Sequence, residues 1–197
     1  MPVHKIKISG SRRSSLLLLL FLSAVLISCS RQCPDFNTGI LLWMPYKSGN
    51  QILYQSGNDS LLFNVAQSRI IHTGKMNNDE SCECENTFNV TLTSDSINIS
   101  MYFPNDVDAG NCHICLNNEC MTLSETHEQY VWNGTSYTHV KIFKNKNLSA
   151  ADKFEKVILV RQLGILAIIR KTDTLQTSGP ANLIVDPETL EWVKEDC

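Results

Sequence analysis

The chain has 197 residues, 43% of them hydrophobic, with 17 Lys plus Arg, 20 Asp plus Glu and eight cysteines. Four of the basic residues, Lys5, Lys7, Arg12 and Arg13, precede the first apolar run; the rest of the chain carries a net charge of about −7. That balance argues against nucleic acid and against anionic headgroups as partners, and the 169 residues after position 28 are enough for one domain with a real core.

The opening "MPVHKIKISGSRR" is basic and without acids. Leu16 to Ile27 follows as an apolar run broken only by Ser23, well short of the roughly 20 residues a spanning helix needs. A basic start, a short apolar core and small residues at its end make a secretory signal peptide. Leu26-Ile27-Ser28-Cys29 resembles the lipobox of bacterial lipoproteins. The resemblance implies removal of residues 1–28, diacylglycerol on the Cys29 thiol and acylation of the new N-terminus with chains such as palmitate. Several acyl chains anchor a protein stably where one is marginal. Ser30, rather than Asp, after the cysteine resembles the sorting pattern for the outer membrane of the cell envelope. The competing reading is ordinary cleavage after Ser30, because Ser28 and Ser30 satisfy a small-x-small rule, which would yield a secreted soluble protein. The expected organisation is a signal peptide at 1–28, a lipidated N-terminus and tether at 29–38 and a single all-β domain at 39–197.

Four hairpins follow. In "NQILYQSGNDSLLFNV" a Gly57-Asn58 turn sets Tyr54 against Leu61 and Ile52 against Phe63. In "TFNVTLTSDSINISMYF" a Ser94-Asp95 turn would set Leu92 against Ile97, Val90 against Ile99 and Phe88 against Met101. "HICLNNECMTL" turns at Asn117-Asn118 and pairs Ile114 with Met121. "EQYVWNGTSYTHV" turns at Asn133-Gly134, a strong short-range hairpin signal, and pairs Tyr130 with Tyr137. "NLSAADKFEK" reads as one short helix near 149–156 with Ser149 as N-cap. "KVILVRQLGILAIIR" reads as two strands, or one bent at Gly164. "ANLIVD" and "TLEWVKE" add short strands around Pro187. Successive hairpins without alternating long helices predict an all-β, antiparallel fold, a sandwich or a curved half-barrel. "WMPYKSGNQILY", "GNDSLLFNV" and "VRQLGILAI" resemble pieces of small all-β bacterial envelope lipoproteins, a likeness that implies no particular activity.

Export implies an oxidising compartment. Besides Cys29, the odd set of Cys33, Cys82, Cys84, Cys112, Cys115, Cys120 and Cys197 leaves at least one cysteine free, modified or paired between chains. The Asn117-Asn118 turn places Cys115 opposite Cys120 as a non-hydrogen-bonded pair, close enough for a disulfide. Cys112 falls on the other face and pairs with Cys82 or Cys84 if the strand of Phe88 extends backward. Cys33 with Cys197 is the third candidate bridge. Two other chemistries fit the same spacing. Cys82, Cys84, Cys112 and Cys115, with Cys120 or His113, could ligate zinc. Cys112-His113-Ile114-Cys115 has the C-x2-C spacing of thiol-redox sites, but that chemistry wants its first cysteine at a helix N-terminus, and a hairpin follows here.

Asp106 to Gly110 opens like a calcium loop but lacks the closing acid, since residue 117 is Asn. No nucleophile elbow, dinucleotide fingerprint or phosphate loop occurs. His127 and His139 are diagonal neighbours across the Asn133-Gly134 hairpin. The aromatics Trp43, Tyr54, Tyr130, Trp132 and Tyr137 serve as sheet filler or as a binding surface. The expectation is a non-enzymatic envelope lipoprotein without cofactor or metal, held to a membrane through Cys29, with a binding or structural role toward a protein or glycan ligand. The alternatives are an exported thiol-redox or metal-binding protein using Cys112 and Cys115, and the secreted soluble disulfide-bonded protein.

Overall fold

The computed structural model describes residues 35–76, 82–105, 112–117, 119–145, 153–177 and 190–195. Within these residues a 3-10 turn, Thr38–Leu42, precedes eleven strands: β1 Gln51–Ser56, β2 Asp59–Met76, β3 Cys82–Thr93, β4 Asn98–Pro104, β5 His113–Leu116, β6 Glu119–Trp132, β7 Thr135–Lys144, β8 Phe154–Val160, β9 Gly164–Arg170, β10 Thr174–Thr177 and β11 Glu191–Glu195. The fold is all-β, as the hairpin pattern predicts. Each of β1 to β10 pairs antiparallel with its neighbour in the chain, and β10 returns to β1. The sheet therefore neither splits into a sandwich nor stays open as a half-barrel. An up-and-down meander closes antiparallel only with an even number of strands, and ten satisfy that condition. Closure removes the free edges that invite aggregation. The ring is uneven. The β2–β3 ladder runs from Asn64 to Met76, whereas the closing seam, among the described residues, pairs Tyr54 with Thr177 and Gln55 with Gln176.

Three hairpins have the expected register. Ile52 faces Phe63 and Tyr54 faces Leu61; Ile114 faces Met121; Tyr130 faces Tyr137. Asn133 and Gly134 both have positive φ, 48° and 79°, the requirement of the type I′ turn that matches strand twist. The β3–β4 hairpin differs. Leu92 pairs with Ile99, Val90 with Met101 and Phe88 with Phe103, two residues away from the expected register. The turn holds four residues, Ser94 to Ile97, because Ile97 is buried in the core and its N–H donates to Ser94 Oγ at 3.1 Å. The helix expected near 149–156 is not formed at its end, where Phe154–Lys156 opens β8; residues 149–152 lie outside the described residues. The apolar run around Gly164 is two strands joined by a tight turn at Arg161–Leu163, and "TLQT" is a further strand.

The long strand β2 has its first edge filled in sequence. Asp59–Asn64 pair with β1. Val65 N donates to Asn50 O and accepts at its carbonyl from Gly49 N, both at 2.8 Å. Ser68 N donates to Ser48 Oγ at 2.9 Å and Ser68 Oγ donates to Tyr46 O at 2.7 Å. Arg69–Thr73 then pair with β11, which runs parallel. A bulge between Val65 and Gln67 switches the inward set from Phe63 and Val65 to Ser68 and Ile70.

The ring interior is filled with side chains. The segment ahead of β1 supplies a plug, Ile40, Leu41, Met44 and Tyr46, all buried in the core. Gln162 N donates to Leu42 O, so the plug closes the end of the ring where β8 turns into β9. Asp35–Asn37 already contact the ring: Phe36 meets Phe88 with ring centroids 6.4 Å apart, and Asn37 N donates to Asn105 Oδ1 at 2.6 Å.

Strands β7 to β9 are apolar on both faces. Phe143, Val157, Leu159, Ile165 and Ile168 point inward, while Val140, Ile142, Ile158, Val160, Leu166 and Ala167 form a second buried cluster outside the ring. The far half of the β6–β7 hairpin covers this cluster with Tyr130, Trp132 and Tyr137. Trp132 Nε1 and Asn133 Nδ2 both donate to Gln176 Oε1, at 3.3 and 2.9 Å, which ties the hairpin tip to β10. The cover explains why "KVILVRQLGILAIIR" shows no inside–outside alternation.

Candidate functional site

Among the described residues, the two cysteines of the C-x2-C motif lie on opposite sides of the sheet. Cys115 and Cys120 form a disulfide across the β5–β6 hairpin, with Cα atoms 3.9 Å apart, somewhat closer than the about 4.5 Å of an ordinary non-hydrogen-bonded pair. Cys112 is fully buried in the ring interior beside Ile114, whereas Cys115 lies on the opposite, outward side of the same segment. A C-x2-C spacing on an extended chain separates the two sulfurs to opposite faces of the sheet, which is unlike the helix-borne arrangement that dithiol chemistry uses. Strand β3 does extend backward, with Cys84 opposite Gly74 and Cys82 opposite Met76 in the backbone ladder. The pairing of Cys82 or Cys84 with Cys112 rests on side chains outside the description, and Cys29, Cys33 and Cys197 lie outside the described residues, as do Asp106 to Gly110.

His127, opposite Val140 in the β6–β7 ladder, and His139 serve separate carboxylates. His127 Nε2 lies 2.9 Å from Glu125 Oε2, and Lys144 Nζ also pairs with Glu125. The lysine bond, followed by the histidine bond, holds the Glu125 carboxyl down at about 2. His139 Nδ1 lies 2.9 Å from Glu128 Oε2. The backbone of His139 is left-handed, φ 52°, a region in which histidine is among the more tolerated side chains. Its carbonyl accepts from Arg161 N at 3.1 Å, which links β7 to the β8–β9 turn.

These residues border a cleft of about 310 Å³ at the plugged end of the ring. Asn37, Gly39 and Trp43 come from the plug, Thr126, Glu128, His139 and Lys141 from the β6–β7 ribbon, and Arg161 from the β8–β9 turn. Lys141 is only 2% exposed. It alternates inward between the outward Val140 and Ile142, and its Nζ stands 5.1 Å from the Trp43 ring centroid in a cation–π contact. Arg161 Nε is buried and makes no hydrogen bond. Glu128 stands at the exposed rim, with 81% of its side chain open to solvent. In a chain with net negative charge, this cleft concentrates cations.

A second groove lies beside the hairpin tip, lined by Gln55, Gly57, Trp132, Asn133, Thr174, Gln176 and Thr177. Its amides largely satisfy one another through Gln176. A third, shallow depression on the outer face of β2 to β5 contains Asn89, Ser100, Tyr102 and His113. Burial, and then the nearby Glu85 that accepts its hydroxyl at 3.1 Å, push the Tyr102 phenol up to about 12. Among the described residues, no group of three or more His, Cys, Asp or Glu is placed to hold a metal ion.

The cleft as a whole has no signature in the sequence. In the sequence Trp43 groups with the other aromatics and His139 with His127, and Lys141 and Arg161 carry no motif. The available signal was Lys141 itself, a charge at the inward-facing position of "THVKIFK". No family model, no curated protein and no solved structure matches this chain, and no enzyme family is identified for it.

Proposed function

We propose that this protein is a lipoprotein of the cell envelope, held to the outer membrane by acyl chains on Cys29, with a non-enzymatic binding or structural role. The observation that carries this reading is Leu26-Ile27-Ser28-Cys29 at the end of a basic-then-apolar leader. The fold is compatible in one specific respect. Asp35, the first described residue to contact the ring, lies six positions after Cys29, and six fully extended steps span only about 20 Å. An anchor at Cys29 would therefore hold the plugged end of the ring near the bilayer surface. The ring interior is packed with side chains, so a ligand would bind on an outer surface or at a ring end rather than in a lumen. Protein and glycan ligands both suit this placement.

Replacing the anchor tests the reading. The wild-type protein is expected in the membrane fraction and in the detergent phase of a Triton X-114 partition. A Cys29→Ser variant is expected in the aqueous phase, without incorporated radiolabelled palmitate. A Cys29→Ser protein that stays with the membrane would mean that something other than this cysteine anchors the chain.

A further inference from the structure

We propose that the cleft between the plug and the β6–β7 ribbon binds a phosphate group, with Arg161 as its principal donor. Buried donors without partners are few in folded proteins, and Arg161 Nε is one, on the wall of an open cleft. A guanidinium offers a planar fork of N–H groups that matches an oxyanion, and it stays charged at any physiological pH. Lys141 adds a second cation to the same cleft, held against Trp43. Asn37 and Thr126 add neutral donors, and His139 adds a third cation when protonated. Donors on this lining outnumber acceptors, which suits a ligand made only of acceptors. A phosphate, with more acceptor oxygens and more charge than a carboxylate, uses more of them. The Glu128 carboxylate opposes an anion, but it is exposed and paired with His139, while Lys141 and Arg161 Nε are buried. The volume, about 310 Å³, is at the small end for ligand sites and fits a headgroup-sized molecule.

The phosphate could be free in solution or part of a phospholipid headgroup, since the cleft opens at the end of the ring where the chain from Cys29 enters. Calorimetric titration of the full-length protein, in an uncharged and phosphate-free detergent at constant ionic strength set with chloride, tests the site and separates the sources. Inorganic phosphate and glycerol 3-phosphate are the two probes. Saturable binding of either at one site per chain is expected, and the tighter probe identifies the source. Arg161→Gln is expected to weaken binding at least tenfold, and Arg161→Lys to recover only part of the loss. Glu128→Gln, at the exposed rim, is expected to tighten binding two- to threefold. Failure of both probes to saturate, or an Arg161→Gln variant of unchanged affinity, would overturn the proposal. So would weaker binding by Glu128→Gln, a readout that holds even if the Arg161 variants fold poorly.

Discussion

Gly164 shows how one residue joins the plug to the ring. Its φ is +81°, and a Cβ there would collide with the Tyr46 hydroxyl. The missing side chain lets that hydroxyl accept from Ile165 N at 2.6 Å, while Tyr54 Oη donates to Ile165 O at 2.9 Å. Two buried phenols thus satisfy both backbone groups of one residue at the start of β9. Burial is the main reason the Tyr46 phenol is pushed up to about 12 and the Tyr54 phenol well above its ordinary value. Gly164→Ala combines positive-φ strain with overpacking, each worth roughly 1–3 kcal/mol, and is expected to destabilise the protein by about 2–4 kcal/mol. A shift of the urea midpoint at unchanged slope would measure it, and a midpoint equal to wild type would refute the account of the glycine. Some of this was legible beforehand. Tyr54 falls on the inward side of an alternating strand, and Gly164 interrupts an apolar run. Tyr46 was not, because it lies in a segment without periodicity, and its role exists only once the plug has entered the ring.

At the level of elements, turn chemistry decided which registers could be read. Asn133-Gly134 and Asn117-Asn118 fix two-residue turns and therefore the pairs that follow from them. The β3–β4 hairpin shows the limit. Its strict alternation keeps the same residues on the apolar face when one strand slides by two, so the pattern could not choose between registers. Burial of Ile97 and its bond to Ser94 made the choice. The β6–β7 hairpin was correctly paired from sequence, yet its job was hidden. Its far half covers the outer cluster of β7 to β9, anchored through Trp132. Trp132→Ala removes a half-buried indole and its bond to Gln176, and is expected to cost about 2 kcal/mol. Amide exchange should rise at Tyr130 and Tyr137, a hydrogen-bonded pair of the ribbon's far half, while the β3–β4 ladder keeps its protection. Equal loosening of both would show that the ribbon is integral to the ring instead of a cover laid on it.

For the whole molecule, an all-β antiparallel fold was readable from the hairpins, but closure was not. Among the described residues the seam between β1 and β10 pairs few residues, and it is reinforced by side chains distant in sequence. Asp173 accepts from Arg170 Nε at 2.6 Å and from Ser56 Oγ at 2.7 Å, and the Arg170 bond is the first cause of its lowered carboxyl pKa. No local pattern announces such a contact. The cleft escaped for the same reason, since plug, ribbon and turn meet only after the ring has closed. The leader is the reverse case, a signal carried wholly by sequence at residues outside the described structure. Together they give a ring of ten strands, plugged at the end where its chain arrives from Cys29, with a cationic cleft at that end. The claim that this cysteine begins the mature chain and carries lipid is tested most directly by the intact mass of the protein purified from its membrane. The expected mass is that of residues 29–197 plus a diacylglycerol and an N-terminal acyl chain. An unlipidated chain beginning at Arg31 would contradict it.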